Sequence, residues 1–464
     1  MLNSSLVQLI QMFKPVELRE VRKFLASPYF NQRKDLIELF DWICRTPSPT
    51  LEQGWRLLKG DKPYAESGMR LIMSYLHQLL EEYLIIREVT ADPLAKQVAL
   101  VSAYRKRLNH AACVRAGNTL ERAVEKQPLR NAHYHNYRYQ LHWAFFQVEN
   151  VQNPTELPRI RELSAALDCN YLSQKLRLYC LSSAHQAVYR TEAVLSEEQT
   201  VLDMAVQPER LSDPAVSIYL SVLRMLQDGT DESHFKQVKT QIFDLTGRFP
   251  EDEMHGLYVL AINYCVRRLN TGDQRFFREV LDLYQAGLMK GYLHEHGILS
   301  RFTYHNVVAA ALHTGEHDWA RGFIHSYKNH LEKRYRESAF SFNLARLEYA
   351  QANYGLVLEL LQTANYRDPL LNLAAKTLLL KTYYDLREHN LLHSHLDAMR
   401  NYIHRKRVIG YHRINYLNIV RYMEKLLKLL PGDKPAHRKL WAAIQAEEHL
   451  SEKAFFENIL FDLQ

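Results

Sequence analysis

The sequence predicts an all-α protein, and three observations carry that expectation. Glycine and proline are scarce, at 16 and 15 among 464 residues, whereas strand-rich chains turn often and consume both. Leu, Ala, Glu, Arg and Lys, which form helices readily, are abundant. Apolar residues recur at helical spacing along most of the chain. With 47% hydrophobic and 24% charged residues, the chain is too apolar for wholesale disorder. No apolar run approaches the ~18–20 residues that a membrane span needs.

Residues 1–90 read as an N-terminal helical cap. Leu6, Leu9, Ile10 and Phe13 follow a helical period. The opening residues carry no leading positive charge, so neither a signal peptide nor an anchor is expected there. Pro15 suits the first turn of a second helix, with Leu18, Val21, Phe24 and Leu25 on one face, and Ser27-Pro28 ends it. Leu36, Ile37, Leu39, Phe40 and Ile43 mark a third helix, and Thr46-Pro47-Ser48-Pro49-Thr50 a loop. A longer helix over 69–89 is expected to bury Leu71, Ile72, Tyr75, Leu76, Leu79, Leu80, Tyr83 and Leu84.

Residues 91–250 read as divergent helix-pair repeats, broken at Asn153-Pro154, Pro158, Pro208, Asp213-Pro214 and Gly229. The stretch 133–148 is dense in aromatics: Tyr134, Tyr137, Tyr139, Trp143, Phe145 and Phe146. Arg138 and His142 lie among them, as in surfaces that stack bases, but packing between helices is the commoner use of such rings.

From 251 to 430 the repeats become legible. In Phe302–Leu331 a helix ends at Gly315-Glu316-His317-Asp318-Trp319-Ala320, and a second helix follows. Glycine fits the tight turn, and Ala320 lets the two helices approach closely. The turn recurs at Ala352-Asn353-Tyr354 and Arg387-Glu388-His389, at intervals of 37 and 35 residues. The tetratricopeptide repeat has a period of about 34. Asp368-Pro369 stands at that repeat's closing proline and Tyr383 at its first-helix tyrosine. Val357 and Leu392 replace the small residue of the second helix in later repeats, and Leu380 replaces one in the first helix. A Thr271-Gly272-Asp273 turn follows Ala261–Leu269. The expected architecture is a tetratricopeptide-like α-solenoid of antiparallel helix pairs, with residues 431–464 as C-terminal capping helices. Within these, Ser451 is a candidate N-cap for a last helix with Phe455, Phe456, Ile459, Leu460 and Phe461.

Five segments carry a family resemblance: Ser27-Pro28-Tyr29-Phe30-Asn31, Ala261-Ile262-Asn263-Tyr264-Cys265, Gly315–Ala320, Asn343-Leu344-Ala345 and Ala375–Tyr384. In them the chain resembles an uncharacterised family of tetratricopeptide-like helical-repeat proteins widespread in Bacteroidota. The resemblance runs nearly the whole length in order. It implies a cytoplasmic helical-repeat protein and supplies no activity.

Catalytic and metal signatures are missing from the sequence pattern. There is no glycine-rich phosphate loop, no GxSxG and no HExxH. Cys44, Cys113, Cys169, Cys180 and Cys265 are widely spaced, without a CxxC pair, and read as free thiols in a reducing cytoplasm. His133/His135, His294/His296 and His393/His395 are two apart and diverge on a helix. His313/His317 and His389/His393 are four apart but fall at the inter-helix turns. No enzyme activity, cofactor or metal is therefore expected.

What remains is binding. Net charge is +7, and residues 376–439 hold fourteen Lys/Arg against five acids, read first as a solvated helix face. In a solenoid the first helix of each pair lines the concave groove. Its outward positions are expected at His305 and His313, Arg346 and Tyr349, and Lys381 and Tyr384. That set suits a protein or peptide ligand carrying carboxylates. Two alternatives stay open. One is single-stranded nucleic-acid binding, because 297–320 faintly resembles one pentatricopeptide unit; the other is a structural subunit of a larger assembly. No membrane partner is expected.

Overall fold

The computed structural model describes residues 4–152, 157, 159–189, 195–229, 231–363, 366–405, 411–430 and 432–463. The expected breaks at Asn153-Pro154 and Pro158, and the basic residues Lys406 and Arg407, lie outside them. Among the described residues the protein is all-α, with 24 α-helices, and consecutive helices pack in pairs. The one departure is a ribbon of two two-residue strands, His294–Glu295 and Ile298–Leu299, turned at His296 and Gly297, both with positive φ. The chain forms two compact units, Met1–Lys175 with Asp203–Val216, and Leu176–Leu202 with Ser217–Gln464.

The first unit opens with α1 (Ser5–Met12), α2 (Pro15–Leu25), α3 (Lys34–Arg45), α4 (Leu51–Lys59) and α5 (Glu66–Ala91). Helix α4 starts directly after the expected loop, with Thr50 accepting a hydrogen bond from the Gln53 amide. Four helices pack on one side of α5, so its core stripe is Met69, Ile72, Met73, Leu76, Leu80 and Tyr83. Leu71 and Tyr75, expected in that stripe, are exposed because they face away from it, and Leu84, also expected there, is exposed at its edge one turn beyond Leu80. Three further helices follow, α6 (Pro93–Lys106), α7 (His110–Lys126) and α8 (Ala132–Gln152). Phe145 is buried in their common core and Tyr137 donates to Asp92, so these aromatics pack helices. Trp143 of the same run is exposed and stacks with Tyr139 and Phe146. Three helices contribute to both units: α9 (Ile160–Tyr189), α10 (Glu198–Ala205) and α12 (Pro214–Gln227), with the short α11 (Pro208–Leu211) between the last two.

The second unit continues with α13 (Glu232–Asp244), α14 (Glu251–Asn270), α15 (Phe276–Met289), α16 (Arg301–His313), α17 (His317–Tyr327), α18 (Arg336–Ala350), α19 (Tyr354–Thr363), α20 (Pro369–Asp385) and α21 (His389–Arg405). It ends with α22 (Tyr411–Leu427), α23 (Lys434–Ala446) and α24 (Lys453–Asp462). The pairs α14/α15, α16/α17, α18/α19 and α20/α21 share one inter-helix turn. One residue takes positive φ: Gly272 (93°), Gly315 (75°), Ala352 (58°) or Arg387 (58°). The next amide then donates to the carbonyl five residues back: Asp273 to Arg268, Glu316 to Ala311, Asn353 to Glu348 and Glu388 to Tyr383. These bonds satisfy carbonyls that the helix end would otherwise leave over.

Four residues after each of the last three donors comes the helix–helix contact. Ala320, Val357 and Leu392 are all fully buried there. The expected register therefore holds residue by residue, and larger side chains fill the later contacts. Leu380 is also fully buried. First helices touch in succession, α16 to α18, α18 to α20 and α20 to α22, and form one layer of the unit.

Candidate functional site

The layer of first helices fixes where the expected groove residues stand. Arg346 and Lys381 are each six residues before the positive-φ residue of their pair, and Tyr349 and Tyr384 each three before. In α16 the equivalent positions are Ala309 and Leu312, so His305 and His313 lie off that register. His313 is exposed, with its ring stacked on Phe277 at 3.9 Å. The other five are half-buried; His305, Arg346, Tyr349 and Lys381 are hydrogen-bonded within the chain, and Tyr384 packs against Phe455.

Two small networks result. In the first, Asn343 of α18, which is fully buried, donates from Nδ2 to His305 Nδ1 (2.8 Å) and to the Ala339 carbonyl (2.8 Å). Arg346 donates to the His305 carbonyl at 3.2 Å. Burial, followed by Arg346 and Arg301, holds the His305 imidazole down to about 4, so the ring is neutral. Burial also lowers Arg346, and Glu452 is the carboxylate that opposes this.

In the second network, Tyr349 donates its hydroxyl to Asp385 (2.6 Å). Burial and that carboxylate hold the phenol far above its ordinary range. Lys381 bonds Glu452 at 2.9 Å and lies 5.1 Å and 5.0 Å from the ring centres of Tyr349 and Phe455. Tyr384 meets Phe455 edge-on at 6.0 Å. Partial desolvation of the His313 ring, followed by Arg346 and Lys381, lowers its pKa. Five of the six expected residues thus belong to one electrostatic neighbourhood, Tyr384 joining it through Phe455.

Glu452 and Phe455, which the sequence reading did not place here, belong to the last segment of the chain. Helix α24 is docked, with Phe456, Ile459 and Leu460 buried in a core shared with α20 to α23. Its N-cap is Glu452, not Ser451. Ser451 instead exchanges hydrogen bonds with Asn415, its amide donating to Oδ1 and its hydroxyl accepting from Nδ2. No sequence signal marks the pairing of Lys381 with Glu452, since 71 residues separate them.

Three of the basic residues over 376–439 are paired with acids. Arg400 pairs with Asp397 and Glu424, Arg421 with Glu447, and Lys381 with Glu452. Lys428, Lys434, Arg438 and Lys439 are exposed. Among the described residues, no helix is long and apolar enough to cross a membrane. The five cysteines are free thiols. Burial pushes Cys169 up to about 11, so it is no ready nucleophile. No protein-family model matches the chain, and no curated protein matches it.

Proposed function

We propose that this chain is a non-catalytic interaction scaffold of the tetratricopeptide-like kind. It binds a protein or peptide segment that carries carboxylates and an aromatic side chain, on the layer of α16, α18 and α20. The observation that carries this reading is the chain's own use of that face. Lys381 and Arg346 receive the acid Glu452, and three residues later Phe455 lies against Lys381 and Tyr384. Cations set among aromatic rings select negative partners and steer their approach. Free thiols without a disulfide suit a reducing compartment, and we place the protein in the cytoplasm.

The test is a pull-down from native lysate with three forms of the full chain: the parent, Lys381→Glu with Arg346→Gln, and Lys434→Glu with Lys439→Glu. The face variant should lose the parent's protein partners and the tail variant should keep them. Association kinetics at two ionic strengths should show the salt dependence falling only in the face variant. If the tail variant alone loses its partners, the binding element is the C-terminal basic segment and the face reading is wrong. Loss of RNA and nothing else would favour single-stranded nucleic-acid binding, which the exposed Lys428, Lys434, Arg438 and Lys439 could serve.

A further inference from the structure

Three helical elements of the first unit bring one histidine, one cysteine and one aspartate together. His135 comes from the first turn of α8, Cys169 from α9, and Asp213 precedes α12. A ring nitrogen, the thiol sulfur and a carboxylate oxygen of these residues all lie within 4.8 Å of one another. His135 is only 2% exposed, yet neither of its ring nitrogens makes a hydrogen bond. Its Nε2 stands 2.8 Å from Asp213 Oδ2, within ion-pair distance, although the two make no hydrogen bond. An imidazole buried in this state is costly unless something takes its lone pair.

Asp213 is held for such a role. Its Oδ1 accepts from the amides of Ala215 and Val216, which fixes the carboxylate and leaves Oδ2 directed at His135. We propose that His135, Cys169 and Asp213 bind a divalent transition-metal ion of the zinc class, with a fourth position open to water or an added donor.

The donor set decides the class of ion. Nitrogen, sulfur and one carboxylate oxygen are the ligands zinc takes, whereas calcium and magnesium call for oxygen shells. One thiolate and one carboxylate neutralise a dication. That balance matters because Arg138 and Arg210 both act on Cys169, and Arg210 is itself bound to Asp168 at 2.7 Å. A dication without its anionic ligands would be repelled there. Loading releases the Cys169 proton to solvent, because the thiolate is the ligand. Ligand atoms around a tetrahedral zinc are roughly 3.3–3.8 Å apart at the usual bond lengths. The three donor atoms, all within 4.8 Å of one another and with His135 Nε2 and Asp213 Oδ2 at 2.8 Å, bracket that spacing. The sequence shows no such site because its members are 34 and 44 residues apart, far beyond any paired spacing.

The experiment uses the full chain carrying Cys44→Ser, since Cys44 is an exposed thiol that could bind metal on its own. Cobalt(II) is titrated as the probe and zinc is used to displace it. The expected result is about one cobalt per chain, with the visible bands of a four-coordinate ion and a near-ultraviolet thiolate-to-cobalt band, all removed by zinc. Cys169→Ser should erase the thiolate band, and it keeps the fold because Cys169 itself is only half-buried and the replacement is nearly isosteric. Asp213→Asn and His135→Gln should each weaken binding about tenfold or more, with circular dichroism confirming that they remain helical. Absence of a thiolate band in the parent, or its survival in Cys169→Ser, overturns the assignment. So does cobalt binding that is indifferent to Cys169 and His135, which would mark surface histidines as the ligands.

Discussion

Lys381 Nζ lies 2.9 Å from Glu452 Oε2, and so ties the third repeat to the start of the last helix. Both side chains are more than two-thirds buried, and Arg346 shares the same carboxylate at longer range. A double-mutant cycle with Lys381→Met and Glu452→Gln should give a coupling of about 1 kcal/mol, at the upper end for pairs that keep some solvent contact. Chemical denaturation of the four forms measures it. A coupling near zero would make the pair incidental. Glu452→Gln alone removes the chain's own acid from the face and should increase retention of an acidic partner.

Ala320 and Glu316 separate core from surface within one turn. Ala320→Glu places a carboxylate in a fully buried helix–helix contact and should cost on the order of 3 kcal/mol or more. Glu316 pairs with Arg278 at 2.8 Å on the surface, and Glu316→Ala should cost only a few tenths of a kcal/mol. Equal urea midpoints for the two variants would show the register to be wrong.

Ala352 and Arg387 hold φ of 58° where their counterparts Gly272 and Gly315 are glycines. A Cβ in this backbone region is strained. Ala352→Gly or Arg387→Gly should therefore stabilise by about 0.5–1 kcal/mol, and Gly315→Ala should destabilise by about 1 kcal/mol. Thermal melts of the three variants report the signs directly.

His305 makes stability depend on pH. Its imidazole sits near 4 in the folded protein, against about 6.5 when unfolded. Below that unfolded value the denatured chain takes up a proton that the native state refuses. Stability contributed by neutral burial is therefore fully present above about 6.5, falls as pH drops, and levels off near 4. The loss between roughly pH 7 and pH 5 is about 2 kcal/mol from this residue. His305→Gln, which can still accept from Asn343, should flatten that part of the profile. Burial also lowers His142, His313 and His395, so some slope should persist. An unchanged slope in His305→Gln would mean that the ring titrates freely.

How much of this was readable from sequence depends on the range of the contact. The turns at Gly315, Ala352 and Arg387 were legible because a local backbone need recurs at nearly equal intervals, even where glycine has been replaced. The buried contact at Ala320, Val357 and Leu392 followed from the same register. Helix α5 was legible as a helix but not in its inward face. Leu71, Tyr75 and Leu84 are apolar and exposed, while Met69 and Met73 point inward. Glu452 at the third repeat, Ser451 against Asn415, and His135 beside Asp213 are long-range meetings that no periodicity encodes. The expected groove positions did gather. They were read as outward-facing, and the docking of α24 and the closeness of neighbouring first helices leave all but His313 half-buried.

The inter-helix turn also has a mechanical side. A single residue at positive φ, clamped by a backbone hydrogen bond on the residue after it, gives α16/α17, α18/α19 and α20/α21 almost no slack at their bends. Each pair is then a stiff lever. Where α17 meets α18 and α19 meets α20, cohesion comes from side-chain packing, which slides more easily than a hydrogen-bonded turn unwinds. A pull on α24, transmitted through Glu452 and Lys381, would rotate the α20/α21 lever as a whole and leave its bend intact.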